Sequence, residues 1–159
     1  MAKVIDFVKL AGAGNDFVVA DNRAGKIAAR SSAAKKWCDR KYSIGADGLL
    51  LLEKSKKADF RMRILNSDGS EAEMCGNGIR CVAKFAHDRK ITGKKFKIET
   101  LAGIIDAEVK GAVIKARMID PREMKLNLNI LLDNRSMAMS FINTGVPHAV
   151  CVVPSLKDV

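Results

Sequence analysis

The sequence predicts an α+β fold in which antiparallel strands outnumber helices. Apolar and polar residues alternate with a period of two along most of the chain, which is the pattern of half-buried strands. Short glycine-containing breaks separate several of these segments, as in a meander of hairpins. Helical periodicity is confined to two segments. We therefore expect a sheet-rich protein with two helices.

The first half of the chain supplies four predicted strands and one helix. The strands are Val4–Leu10, Phe17–Asp21, Leu49–Glu53 and Phe60–Leu65. A loop of small residues, 11–16, separates the first two, and the apolar run at 49–53 suits a buried strand. Ser31 or Ser32 is predicted to cap a helix over Ala33–Arg40, because serine side chains accept hydrogen bonds from first-turn amides.

The second helix is predicted over Asn77–Lys90, where apolar residues recur at i, i+3, i+4 and i+7 from Ile79. A capping-box pattern, Ser70-x-x-Glu73, would allow an earlier start. Two glycines at positions 76 and 78 would weaken a helix that ran through them. We therefore interpret the segment through Glu73 as a loop.

Three more strands are predicted after the second helix, and another three after a break at Asp120-Pro121. They are Lys95–Leu101, Ile104–Lys110, Ala112–Met118, Met124–Leu132, Met137–Asn143 and His148–Val153. Proline next to aspartate interrupts the regular pattern at this break. We accordingly predict one domain over residues 1–119 and the opening strands of a second over 120–159.

The composition favours a globular protein and argues against several other classes. Hydrophobic residues make up 48% of the 159 residues, and no apolar run approaches the roughly 20 residues that span a bilayer. A secretory signal pattern is missing, so a cytoplasmic location is expected. The net charge of +10 comes from scattered lysines with one Trp and one Tyr, which favours a solvated basic surface over a nucleic-acid interface. Attraction of an anionic substrate is a secondary interpretation.

Most of the four cysteines are interpreted as core residues. Disulfides are not expected without a secretion signal. The chain has no Cys-x-x-Cys pair and only two histidines, so no metal site is predicted. Burial is the expected state of Cys38, Cys81 and Cys151, because free cysteine is commonly buried.

Cys75 is different, because it precedes the second helix in Met-Cys-Gly-Asn-Gly-Ile-Arg-Cys. The positive end of the helix dipole and free N–H donors favour a thiolate at that position. The amides of Gly76, Asn77 and Gly78 are predicted to bind a carboxylate or a phosphate. The spacing alone supports a catalytic thiol and a core thiol equally.

Three further polar residues are candidates for ligand binding. Asn15 lies in the loop of small residues, Asn66 in an Asn-Ser-Asp-Gly turn, and His148 directly after a proline. Each asparagine is interpreted either as a turn residue or as a group that orients a zwitterionic ligand. His148 is either an acid–base group or a strand-edge residue. The pair Gly12-x-Gly14 is not a dinucleotide fingerprint, because the third glycine is missing.

Taken in order, these segments resemble those of the diaminopimelate epimerases. The matching motifs are Gly12–Phe17, Gly45–Gly48, Arg61–Cys81 and Asn143–His148, of which the block ending at Cys81 is the most specific. The resemblance implies a mostly antiparallel, barrel-like sheet wrapped around a central helix. It also implies an enzyme without a cofactor that interconverts LL- and meso-diaminopimelate for lysine and peptidoglycan precursor synthesis. In this family two cysteines act on opposite faces of the α-carbon.

The resemblance also assigns roles to individual residues. Cys75 matches the first of the two cysteines, and Gly76 with Asn77 matches the carboxylate cradle. Asn15 and Asn66 match residues that hold the distal amino-acid centre of the substrate. His148 matches a histidine beside the site.

The chain departs from the family pattern in several places. A second Cys-Gly-Thr block, a Glu-Arg pair and a further substrate-binding Asn are missing, while Gly48 replaces a Gln of many members and Val146 an Asn of some. The resemblance therefore covers the first lobe and the opening strands of a second. Truncation is our favoured explanation, since unpaired strands are an aggregation hazard; a split enzyme and a half that forms a homodimer are the others. With one thiol, slow exchange of the α-proton is the most that we expect from this chain alone.

Three other functions remain open at this point. One is a non-catalytic module that binds amino acids or anions through the same helix end, and another is a related racemase of the same fold. A basic nucleic-acid binder is the weakest alternative.

Overall fold

The computed structural model describes residues 4–132 and 135–155, and the chain divides into two compact units after Met118. The strands of the first unit are β1 (Phe7–Gly12), β2 (Asn15–Asp21), β3 (Gly48–Glu53), β4 (Phe60–Asn66), β5 (Glu71–Ala72), β6 (Lys95–Thr100), β7 (Gly103–Lys110) and β8 (Val113–Arg117). Its helices are α1 (Arg30–Trp37) and α2 (Gly76–Asp88). The second unit contains β9 (Arg122–Leu132), β10 (Arg135–Asn143) and β11 (Pro147–Val150).

The strands of the first unit form one sheet that curls around α2. The strand order is β1-β2-β3-β4-β6-β7-β8, and the two-residue β5 pairs with β4. Most neighbours are antiparallel, whereas β2 with β3 and β4 with β6 are parallel. Both edge strands, β1 and β8, pack against α2. The expected α+β fold, a mostly antiparallel, barrel-like sheet around a central helix, is confirmed.

The central helix α2 forms because its apolar residues fall on one face. The predicted face is buried, with Ile79, Val82, Ala83 and Ala86 all fully covered. The helix begins at Gly76 and ends at Asp88, two residues before the predicted end. The backbone at Lys90 is left-handed, with a φ of 57°, so the helix cannot continue through it.

Helix α1 covers the opposite face of the sheet. Leu49 and Leu51 of β3 belong to a buried cluster with Ala34 of α1, whereas the side chain of Leu50 lies against Gly78 of α2. Alternate residues of β3 thus face different helices, which explains why this strand is continuously apolar. The predicted buried strand is confirmed.

The predicted cap and bounds of the first helix are wrong. Helix α1 begins at Arg30, its N-cap residue is Ala29, and no side chain caps it. Ser31 and Ser32 therefore lie inside the first turn. The helix stops at Trp37 instead of residue 40. A turn follows it, in which the Asp39 carboxylate accepts hydrogen bonds from the amides of residues 41 and 42.

The first hairpin is tighter than predicted. Strands β1 and β2 pair as far as Gly12 opposite Asn15, so the expected loop at 11–16 shrinks to a turn of two residues. Those residues, Ala13 and Gly14, have φ values of 50° and 92°, and two positive φ angles suit the twist of a hairpin. Val4, which we expected in β1, lies outside it and is 81% exposed.

The segment before α2 is not entirely a loop, which corrects the interpretation of residues through Glu73. The short strand β5 pairs with Ile64 and Leu65 of β4. Its residues follow a turn at 66–69 that reverses the chain, where the Gly69 amide donates to the carbonyl of Asn66 at 2.9 Å. The antiparallel pairing with β4 therefore includes two residues after the turn.

The second unit is a three-stranded antiparallel sheet in the order β11-β10-β9. Its strands confirm those predicted after the break at Asp120-Pro121, with bounds that differ by a few residues. Several large apolar side chains are exposed in this unit, such as Met124, Leu126 and Leu131. No helix in the described part of the whole chain is long and apolar enough to cross a membrane.

Candidate functional site

The candidate residues of the first unit converge at one end of its sheet. Strands β2 and β3 run parallel and begin there, while the antiparallel β4 ends there at Asn66. Helix α2 begins beside them, and its Asn77 carboxamide donates a hydrogen bond of 2.6 Å to Oδ1 of Asn15. The fold thus joins two predicted residues that are 62 positions apart.

Cys75 is the N-cap residue of α2. Its backbone is extended, and its sulfur accepts a hydrogen bond from the Gly78 amide at 3.5 Å. Cysteine is not a preferred N-cap residue, so helix stability does not explain its presence. The side chain is half-buried, and the first turn of α2 contains no acidic residue. The sulfur therefore lies at the positive end of the helix dipole, where a backbone N–H donates to it.

The other thiols have different surroundings. Cys38 and Cys81 are buried, as expected. Burial raises the pKa of Cys38 to about 11, and it also raises the pKa of Cys81. Cys151 lies just beyond β11 in the second unit and is half-buried, so the expected full burial is wrong for this residue.

The first turn of α2 supplies backbone donors. The amides of Gly76 and Asn77 lie where a helix offers no acceptor of its own. A Cβ placed on Gly76 would lie 3.7 Å from Met118 Cε and 3.8 Å from Arg80 Nη1, so the fold leaves room for a side chain. A Cβ on Gly78 would come within 3.2 Å of Leu50 Cδ2. Glycine at 78 thus serves packing, whereas packing does not require it at 76.

A chain of hydrogen bonds connects this turn with the starts of β2 and β3. Arg80 donates to Oδ1 of Asn77, Asn77 donates to Asn15 as described, and the Asn15 carboxamide donates to Asp47 Oδ2 at 3.2 Å. No role was predicted for Arg80 or Asp47 from the sequence. The signal for Arg80 was its spacing of three residues from Asn77 on one helix. Asp47 gave no such signal, because it lies 32 residues from Asn15.

Asp47 belongs to a charged cluster that ties β2 to β3. The Arg40 Nη2 atom lies 2.7 Å from Oδ1 of both Asp16 and Asp47, and Lys9 Nζ lies 3.0 Å from Asp16. The Arg40 guanidinium holds the pKa of the Asp16 carboxyl well below its usual range. The pKa of Asp47 is lowered first by the backbone N–H of Asp16 and then by Arg40. Both carboxyls are therefore ionised at neutral pH.

Asn66 ends β4 and starts the turn that leads to β5. Its carboxamide donates to Ser70 Oγ at 2.9 Å, and its backbone N–H donates to the Ser70 carbonyl at 2.8 Å. The turn therefore uses one donor of the side chain. Within the described residues the Oδ1 atom accepts no hydrogen bond. Its ligand-binding role stays a prediction.

The remaining predicted positions have distinct surroundings. His148 lies in β11 of the second unit, opposite Ile142, and is exposed; its role also stays a prediction. At Gly48, a Cβ would come within 2.8 Å of the Leu65 carbonyl oxygen. The glutamine expected from the family pattern would therefore require a backbone shift in this chain. Val146 follows Gly145, whose φ is 101°.

The site combines a half-buried thiol with backbone and carboxamide donors for an anion. Within residues 4–132 and 135–155, no cluster of three or more His, Cys, Asp or Glu side chains could hold a metal ion. The arrangement of Cys75, Gly76 and Asn77 is suited to holding a carboxylate next to a group that accepts a proton.

Comparison with known proteins gives a consistent picture. A family profile described as Diaminopimelate epimerase matches residues 7–122. The diaminopimelate epimerase of Carboxydothermus hydrogenoformans is 43% identical, over 98% of this chain and 62% of its own length. That of Aquifex aeolicus is 40% identical, over 98% of this chain and 60% of its own length. The chain thus spans about three fifths of the length of these curated relatives.

Solved structures with low sequence identity share the fold. A hydroxyproline epimerase from Agrobacterium vitis has a TM-score of 0.75 at 16% identity, covering 96% of this chain and 53% of its own. A phenazine biosynthesis protein of the PhzF family from Bacillus anthracis has a TM-score of 0.65 at 21% identity, covering 96% of this chain and 55% of its own. At these identities the similarity concerns the fold alone.

Proposed function

The chain belongs to the diaminopimelate epimerase family, and from this premise we propose that it takes part in the epimerisation of diaminopimelate between its LL and meso forms. The single observation that carries the proposal is the thiol of Cys75 at the N-cap of α2, next to the backbone amides of Gly76 and Asn77. The proposal includes the absence of a cofactor, a place in lysine and peptidoglycan precursor synthesis, and a cytoplasmic location.

In the proposed reaction the Cys75 thiolate removes the α-proton of the substrate. The Cα–H bond breaks, an S–H bond forms, and the electron pair is delocalised into the α-carboxylate. Because this proton is very weakly acidic, the developing charge needs electrostatic stabilisation. We assign that task to the amides of Gly76 and Asn77 and to the positive end of the α2 dipole. A second thiol then delivers a proton to the opposite face.

The second thiol is not assigned to either buried cysteine of the first unit. Cys38 and Cys81 are covered by the core, and their raised pKa values oppose the thiolate form. The proposal for this chain therefore concerns proton transfer on one face of the α-carbon. Exchange of the α-proton with solvent is the activity that this half of the reaction predicts.

Further roles are proposed for residues around the thiol. Asn15 and Asn66 would hold the distal amino-acid centre, and His148 would take part in substrate binding. The hydrogen bond between Asn15 and Asn77 supports the first assignment. The position of Asn66 at the same end of the sheet supports its assigned role. The role assigned to His148 depends on the resemblance alone.

The proposal is tested by following the exchange of the diaminopimelate α-proton in deuterated water with NMR. Cys75→Ser removes the thiol and introduces a better N-cap residue, so the fold should persist. We expect exchange to fall at least about 100-fold, the low end of the usual contribution of a positioned base. Cys151→Ser changes the other half-buried thiol and should leave exchange unchanged.

Three results would contradict the proposal. Exchange that persists in Cys75→Ser would remove Cys75 from the reaction. Binding of diaminopimelate by calorimetry, without exchange in the unaltered protein, would favour the non-catalytic amino-acid module. Exchange of the proline α-proton in place of that of diaminopimelate would identify a related racemase.

A further inference from the structure

The hydrogen-bond chain between Arg80 and Asp47 has ends of opposite and fixed polarity. A guanidinium has N–H donors and no acceptor, whereas an ionised carboxylate has acceptors and no donor. The carboxamides of Asn77 and Asn15 lie between them, each bonded on both sides. Every hydrogen bond of the chain therefore points the same way, from Arg80 toward Asp47.

The two ends determine how each carboxamide is turned. Arg80 can only donate, so the oxygen of Asn77 must face it and the nitrogen of Asn77 must face Asn15. The oxygen of Asn15 is then the acceptor, and its nitrogen faces Asp47. Turning either carboxamide over would set donor against donor at one side and acceptor against acceptor at the other. Such unmatched polar contacts are costly.

Both ends keep their polarity under ordinary conditions. The pKa of Asp47 is lowered by the backbone N–H of Asp16 and by Arg40, so the carboxyl remains an acceptor. Arg80 forms no ion pair with any residue in the described ranges, so Asn77 is its hydrogen-bond partner there. A carboxamide without such ends can take either orientation, because its oxygen and nitrogen are alike in size and shape.

We infer that Arg80 and Asp47 are positioning residues that lock the Asn77 and Asn15 carboxamides in one orientation for ligand binding. In this state each carboxamide uses one of its two N–H groups within the chain of hydrogen bonds and keeps the other N–H as a donor for a ligand. The locked pair is thereby suited to a substrate carboxylate, which only accepts. This inference rests on the function proposed above and assigns to Arg80 a role in affinity.

The test compares three variants of the full chain. Arg80→Met removes all donors while keeping the length of the side chain, and Arg80→Lys restores a single cationic donor. The matched control is Arg89→Met, which makes the same change of charge at the other end of the same helix, where Arg89 lies over the Phe85 ring at 5.5 Å.

The first readout is the set of side-chain amide signals in nitrogen–proton NMR spectra of protein labelled at asparagine. In Arg80→Met we expect the signals of both Asn77 and Asn15 to shift or double, because both carboxamides gain a second orientation. Asn15 does not contact Arg80 in the chain of hydrogen bonds, so a purely local role of Arg80 would leave its signals unchanged. Arg89→Met should leave both pairs of signals in place.

The second readout separates KM from kcat for α-proton exchange. We expect Arg80→Met to raise KM roughly tenfold, the usual effect of one hydrogen bond to a charged group, with kcat within about twofold. Arg80→Lys should recover part of that loss. Unchanged Asn15 signals in folded Arg80→Met, or an equal rise of KM in the Arg89→Met control, would overturn the inference. If the unaltered protein shows no exchange, the proposed function fails, while the amide signals still decide the orientation.

Discussion

Replacing Gly76 with alanine would test whether the first turn of α2 binds a carboxylate independently of its part in folding. A Cβ at this position would meet its nearest neighbours at 3.7 and 3.8 Å, which is ordinary van der Waals contact. Alanine is favoured over glycine in a helix interior by about 0.8–1 kcal/mol, and by less at the first residue. We therefore expect Gly76→Ala to keep or raise the free energy of unfolding, by up to about 0.5 kcal/mol.

The same substitution should weaken ligand binding. Helical Cβ atoms tilt toward the N-terminus of the helix, so the new methyl group would stand at the mouth of α2, beside the Arg80 guanidinium. A carboxylate held by the amides of Gly76 and Asn77 would be pushed away from at least one of them. Loss of one charge-assisted hydrogen bond amounts to about 1.5–3 kcal/mol, or roughly 10- to 100-fold in the dissociation constant.

Calorimetric titration with diaminopimelate and urea unfolding would measure the two effects separately. Gly78→Ala is the matched comparison, because its Cβ would press on Leu50 at 3.2 Å. That variant should lose up to about 1 kcal/mol of stability relative to Gly76→Ala, with affinity within about twofold. Wild-type affinity in Gly76→Ala would refute the assignment of the first turn as the carboxylate site.

Three further predictions concern stability, measured by urea unfolding. Asp16→Asn should cost about 1–2 kcal/mol at pH 7. The folded-state pKa of Asp16 is depressed, so this contribution to stability is present above the unfolded pKa of about 3.9 and is lost as the pH falls further. A difference in the free energy of unfolding between the two proteins that stayed constant from pH 7 to pH 2 would contradict this. Gly48→Ala should cost about 2 kcal/mol, because its Cβ would lie 2.8 Å from a carbonyl oxygen, whereas Gly93→Ala, in open space, should change stability by less than about 0.5 kcal/mol. Val82→Ala should cost about 2–3 kcal/mol, since it leaves a cavity under the sheet, and a smaller loss would show that the core collapses around it.

Elements with a regular pattern could be predicted from the sequence because that pattern reflects which side is buried. In β4, Phe60, Met62 and Ile64 are buried while Arg61 and Arg63 are partly exposed, as their alternation indicated. Helix α2 is amphipathic, and the four residues of the predicted apolar face, Ile79, Val82, Ala83 and Ala86, are all buried. Both segments are long enough for the period to be unambiguous.

The failures lie where an element depends on backbone geometry or on distant contacts. Two serines suggested a cap for α1, but the helix begins earlier, at Arg30, and its buried Ala34 packs in an apolar cluster with Leu49 and Leu51, so packing overrides the local signal. The turn at Ala13 requires a positive φ at a residue other than glycine, which no sequence rule would favour. The parallel pairing of β2 with β3 joins segments about 30 residues apart, and local periodicity carries no information about it.

The candidate site likewise has a part that could be predicted from the sequence and a part that could not. Cys75 and the amides that follow it are neighbours in sequence, so their placement at a helix start could be inferred locally. The links from Arg80 through Asn77 and Asn15 to Asp47 join three separate parts of the chain. Only the fold brings these parts together, and the sequence alone left Asn15 open between a turn residue and a ligand-binding group.

The residues at the start of α2 are not those that usually stabilise a helix N-terminus. This observation distinguishes what the sequence of the first turn contributes to the helix from what packing against the sheet contributes. A helix stabilised by its own sequence would carry Ser, Thr, Asp or Asn at the N-cap and acidic residues in its first turn. This helix has a cysteine cap, no acidic residue in the first turn, and Arg80 close by. Its stability must therefore come from the burial of its apolar face by the surrounding strands. The positive field at its N-terminus is left uncompensated within the first turn, which is the condition that binding an anion beside a thiolate requires.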